Sequence, residues 1–177
     1  MKHNFIHGFS KNNQIGSHLI GWGTKKPDQT GKVPSHFFFL FFRKIVLESK
    51  MTAGVRLTYW GSFKKHNEIV KLFIPIGERE AVEKRGHMFE NLLDKIYGKS
   101  YDRLALIYFA WRVALFKFLK KPMPKINRWN RENYYFCDEL YTEVSGTDMS
   151  MVSPNDLMLD MSSRSDEFME ISLDDVV

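Results

Sequence analysis

Ser35-His36-Phe37-Phe38-Phe39-Leu40-Phe41-Phe42 is the stretch that most narrows what this chain can fold into. Six consecutive apolar residues, five of them phenylalanine, follow a loop that holds Pro27, Gly31 and Pro34. A run apolar at both alternating positions reads as a central strand buried on both faces. It is far too short to cross a bilayer, which takes about 20 apolar residues.

The residues that follow predict partners for that strand. Ile45 to Ser49 is a second strand across a short Arg43-Lys44 turn, Val55 to Trp60 a third after the turn at Met51 to Gly54, and Glu68 to Ile76 a fourth. Connections this short predict an antiparallel meander. Residues 1–14 carry no pattern and are expected as a flexible arm, and Ile15 to Trp22 as a short strand or extended lead-in.

After Gly77 the apolar period changes. Residues 78–97 read as a helix through Ala81, Met88, Leu92 and Ile96, with Gly98 as its stop. Tyr101 to Leu119 reads as a second, capped by Asp102 and bearing a thick apolar face of Leu104, Ile107, Tyr108, Trp111, Leu115 and Phe118. Ser153-Pro154 supplies a cap and a first-turn proline for a short helix, Glu167 to Ser172 a last strand, and residues 173–177 an acidic end. The expected class is α+β, an antiparallel sheet against helices, with one domain over residues 15–172. A chain of 177 residues, 44% hydrophobic and 27% charged, has the composition for one such core.

Charge is unevenly placed. Residues 137–177 hold eleven acidic side chains against Arg164 alone, a net −10, which leaves +15 on residues 1–136 for the total of +5. A basic body of this kind suits an anionic surface, nucleic acid or membrane, unless the acidic end packs against it. No secretory signal is seen at the start, so a cytoplasmic setting is expected, and a virus-borne origin fits equally. One cysteine excludes an internal disulfide framework and a cysteine-based zinc site. No metal cluster or phosphate-cradling glycine loop is present, and no cofactor is assigned.

That cysteine, Cys137, stands where an aromatic run gives way to helical spacing: Phe136, Leu140 and Val144 recur at i, i+4 and i+8, with Asp138 and Glu139 in the first turn. A thiol at a helix N-terminus is acidified by unpaired backbone N–H groups, although nearby carboxylates oppose this. A nucleophile there needs an imidazole and a group to orient it. Among six histidines, His36 stands at the mouth of the buried strand, directly after a loop. Glu48, at the far end of the next strand, is the candidate orienting group. A two-residue Arg43-Lys44 turn places it opposite Phe39, about three residues along from His36, and leaves open whether it is instead an exposed strand-end carboxylate.

Five segments in order carry a resemblance: Ser35-His36 and its strand; Leu47-Glu48-Ser49 with Gly54-Val55; Gly98-Lys99-Ser100-Tyr101-Asp102; Phe136-Cys137-Asp138-Glu139-Leu140; and Val152-Ser153-Pro154-Asn155-Asp156-Leu157. Together they resemble the circularly permuted, YiiX-like branch of the NlpC-type papain-like cysteine hydrolases, over about residues 16 to 172. Asp138 departs from the usual serine after the cysteine, and residues 104–131 are longer and more basic than the pattern. The resemblance implies a permuted papain-like fold with Cys137 as nucleophile, His36 as base, Glu48 as orienting residue and Tyr101 at the substrate cleft or oxyanion. The implied reaction is hydrolysis of an amide or ester in a peptide, peptidoglycan fragment or lipid conjugate. Acyl transfer of the lecithin–retinol type, or binding of nucleic acid or anionic membrane without catalysis, are the alternatives.

Overall fold

The computed structural model describes residues 5–76, 93, 97–120, 134–135, 140–141 and 152–176. Eight strands and four α-helices are described: β1 (Phe5–Lys11), α1 (Ile15–Thr24), β2 (His36–Phe41), β3 (Ile45–Lys50), β4 (Gly54–Tyr59), α2 (Trp60–His66), β5 (Glu68–Pro75), β6 (Ser100–Tyr101), α3 (Arg103–Leu119), β7 (Tyr134–Tyr135), α4 (Pro154–Ser163) and β8 (Phe168–Ile171). Six strands form one antiparallel sheet in the order β4-β3-β2-β1-β5-β8, and β6 pairs with β7 in a separate parallel pair. The chain is thus α+β with an antiparallel sheet.

The aromatic run forms β2 and lies inside the sheet, as its composition requires. Phe37, Phe39 and Phe41 enter one apolar layer with Phe9, Leu47, Phe73, Leu140 and Leu157. Phe38 and Leu40 enter the other, with Ile6, Val46, Trp60, Phe63 and Leu72. Each fully buried phenylalanine contributes roughly 2–3 kcal/mol of transfer free energy, so this one strand anchors both layers.

Three expectations are corrected. Residues 5–11 are not part of a flexible arm but the strand between β2 and β5. Its polar look comes from small or ring-packed fillers. His7 is enclosed by the rings of Phe5, Phe39, Tyr141 and Phe168. Gly8 lies under Phe38, where a Cβ would sit 2.1 Å from the ring. Second, β2, β3 and β4 form the expected meander, but β5 crosses to the far side and pairs with β1 rather than β4. Between them, α2 turns the chain at Trp60 and Phe63, which cover the second layer. Third, residues 15–24 are helical, since Ile15, Leu19 and Trp22 repeat at i, i+4 and i+7.

Tyr101 belongs to β6, and the helix expected from it begins at Arg103. The helix expected over 78–97 lies almost wholly outside the described residues, although Gly98 has a φ of 76° and Tyr97 donates to Leu93 O as a helix end does. The helix from Ser153 forms as expected, with the Ser153 side chain accepting from Asp156 N at 3.0 Å. Residues 174–176 make a 3-10 turn whose Val176 is buried in the second layer, so the acidic end is docked there.

Candidate active site

His36 and Glu48 meet because of one residue in a turn. The β2–β3 connection is Phe42-Arg43-Lys44, three residues rather than two, and it pairs Phe38 with Glu48. Strand side chains alternate, so this register places Glu48 on the same face as His36 and Phe38; a two-residue turn places it on the other. The turn holds Phe42 and Arg43 at φ 48° and 58°, the left-handed values that tight hairpins use, and Lys44 N donates to Phe41 O at 2.9 Å.

The resulting contact is His36 Nε2 to Glu48 Oε2 at 3.1 Å. Glu48 is 3% exposed. Its other oxygen, Oε1, accepts from Arg56 Nε at 3.0 Å, Arg56 Nη2 at 2.7 Å and Thr58 Oγ1 at 3.2 Å. Burial by itself raises the Glu48 pKa; the hydrogen bonds and charges of His36, then of Arg56, outweigh it and hold the carboxyl at about 2. An ionised carboxylate only accepts, so Nε2 of His36 donates to it. In the neutral ring the lone pair is then on Nδ1, the nitrogen turned away from Glu48. The ring also lies near that of Phe63, with centroids 6.3 Å apart. An imidazole fixed in tautomer and orientation by a buried anion is the form a general base takes.

Arg56 and Thr58 are the site residues that sequence reading overlooked. The signal exists: alternation along β4 puts both on one face, and the hairpin from Met51 to Ala53 sets Arg56 directly across from Glu48.

The dyad lines a cleft of about 470 Å³ whose wall also includes Ser17, Ser35, His66 and Tyr101. Ser35 N donates to Ser10 O at 3.0 Å, and the Ser35 and Ser17 hydroxyls are hydrogen-bonded, which ties the mouth of β2 to α1. Tyr101 is brought in by backbone. Val55 N donates to Lys99 O at 2.8 Å and Gly98 N to Val55 O at 3.1 Å, clamping residues 98–100 beside β4. Gly54 permits this approach, because a Cβ there would sit 2.2 Å from Lys99 O. The loop before His36 is fixed from the other side by fully buried Asn155, whose Nδ2 donates to Thr24 O at 2.9 Å and Gln29 Oε1 at 2.8 Å.

Three of the four expected site residues, His36, Glu48 and Tyr101, therefore border one cleft. Cys137 and Glu139 lie outside the described residues. Tyr135, two residues before Cys137, pairs with Tyr101. Leu140, three residues after it, is helical and buried in the layer of Phe37 and Phe39, on the sheet face opposite His36 and Glu48. Among the described residues, no three His, Cys, Asp or Glu side chains are grouped to hold a metal ion.

Compared with family models, curated proteins and solved structures, the chain matches none of them at a level that assigns a family.

Proposed function

We propose that this protein is a cysteine-dependent hydrolase of amide or ester bonds, with Cys137 as nucleophile, His36 as general base and Glu48 as the residue that orients the base. The single observation that carries the reading is the His36–Glu48 pair on the wall of the cleft, with the carboxylate buried and kept ionised by His36 and Arg56. A second supports it: Tyr135, paired to the cleft residue Tyr101, delivers the chain to within two residues of the only cysteine.

In this reaction His36 Nδ1 takes the Cys137 thiol proton, and the imidazolium remains hydrogen-bonded to Glu48. The thiolate attacks the substrate carbonyl carbon, and the leaving amine or alcohol departs with the proton held by His36. Water, deprotonated by the same nitrogen, then cleaves the thioester and returns the thiol. A Tyr101 hydroxyl in the cleft suits the developing oxyanion or the substrate wall. The permuted papain-like arrangement, and a peptide, peptidoglycan fragment or lipid conjugate as substrate, belong to the same proposal.

The test is the rate of iodoacetamide alkylation of Cys137 from about pH 5 to 9, since an unperturbed thiol titrates near ~8.5. Labelling that stays fast well below neutrality, and is lost in His36→Ala, is the expected result. Identical profiles in the two proteins overturn the assignment of His36 as base.

A further inference from the structure

α1, which lines the cleft, and α3, which packs on α1, leave many of their apolar residues exposed. On α1, Ile15, Leu19 and Trp22 occupy one stripe and are 80%, 61% and 58% exposed. On α3, Leu104, Ile107, Trp111 and Phe118 fall on one face at i, i+3, i+7 and i+14, and all four are exposed. The thick apolar face expected to bury this helix is thus largely on the surface, apart from buried Tyr108 and half-buried Leu115. The two helices adjoin, with Gly23 packed so closely on Val113 that a Cβ would lie 2.5 Å from Cγ1. Exposed apolar area of this extent on neighbouring elements marks a surface that meets something apolar.

Charge selects the occupant. Neither α1 nor α3 carries an acidic residue, and from Arg103 to Arg131 the sequence holds eight lysines and arginines with no Asp or Glu. Lys117 Nζ lies 5.9 Å from the Trp22 ring centre, and the Arg112 guanidinium 5.8 Å from that of Trp111. Cations thus flank Trp22 and Trp111, the pairing that suits a bilayer interface, where indoles sit at headgroup level and cations meet phosphates. A second copy of this face would set cations against cations. The helix is also the wrong length to span: α3 has 17 residues, about 25 Å, and no described helix is long and apolar enough to cross a membrane.

We propose that the outer faces of α1 and α3 dock on an anionic phospholipid bilayer, with the helices lying in the interface. The opposite side of α1, through Gly16, Ser17 and Ile20, lines the cleft, so docking seats the cleft beside the membrane surface. This goes beyond the hydrolase reading and does not depend on it.

Co-sedimentation of the full chain with phosphatidylcholine vesicles, with and without phosphatidylglycerol, tests the proposal. Binding is expected to the anionic vesicles and to weaken as salt rises. Leu19→Ser with Trp22→Ser, exposed positions whose change leaves the circular dichroism spectrum intact, lowers binding at least about tenfold. Ile107→Ser with Trp111→Ser does the same from α3, and Lys117→Gln lowers it about fivefold. No binding to phosphatidylglycerol vesicles overturns the proposal, as does binding that both serine pairs leave unchanged. A vesicle-free dimer that the serine pairs dissociate, with no vesicle binding, assigns the face to a second copy instead.

Discussion

Glu48 faces Arg56 directly across the β3–β4 ladder and receives both Nε and Nη2 of its guanidinium on one oxygen, which leaves the other for His36. The division matters chemically. His36 and then Arg56 hold the carboxylate ionised, each on its own oxygen.

Removing both partners should therefore cost less than the two single losses combined. Glu48→Gln and Arg56→Met are each expected to destabilise the protein by about 2–3 kcal/mol, because each leaves a polar group without its counterpart in a half-buried site. The double variant should lose less than the sum, with a coupling of about 2 kcal/mol in denaturant titrations. Strict additivity would show that the pair does not interact. Glu48→Gln should also slow Cys137 alkylation below neutrality, since the amide presents a donor as well as an acceptor to Nε2.

Acid should unfold the protein partly through the same residue. The folded pKa of Glu48, about 2, lies below its ordinary value of 4.5, so the folded state binds the fewer protons. Its contribution is complete above pH 4.5 and drains as the pH falls toward 2. The full shift corresponds to about 3 kcal/mol. Stability measured across that window should fall less steeply in Glu48→Gln; equal slopes would remove Glu48 as the source.

Gly8 tests the central place of β1. Gly8→Ala drives a methyl group into the Phe38 ring and is expected to cost about 2 kcal/mol or more. Adding Phe38→Leu should return part of that loss, because the smaller side chain vacates the position. If the double variant is as unstable as the two losses combined, the two residues are not stacked as described.

The β2–β3 turn offers a gain. Phe42 and Arg43 both occupy left-handed backbone, which ordinary side chains adopt at a penalty. Phe42→Asn with Arg43→Gly should raise stability by about 1 kcal/mol and leave the register intact. A fall in melting temperature would mean that the exposed Phe42 ring contributes more than its backbone strain removes.

Much of the sheet was legible because β2 to β5 announce themselves by apolar content and short turns. β1 was not, because His7, Gly8 and Ser10 give no strand signal; His7 and Gly8 fit there only against aromatic rings, most of them supplied by other elements. α1 was misread for a related reason. Its helical stripe of Ile15, Leu19 and Trp22 faces outward, and a short apolar run does not say which side of it is covered. His36 and Glu48 were both visible as residues with chemical potential, while Arg56 and Thr58 passed as ordinary members of an alternating strand.

The apolar strand, the β2–β3–β4 meander, the Ser153 cap and the residue types that a thiol hydrolase requires are all written in the order of residues. That His36 and Glu48 touch follows from how the strands pair. Side chains alternate every residue along a strand, so one extra residue in the Phe42–Lys44 turn moves Glu48 from one face of the sheet to the other. The charge of Glu48 was decided there too, since a buried carboxyl ionises only where donors stand against it, and His36 and Arg56 both reach it across the ladder rather than along the chain.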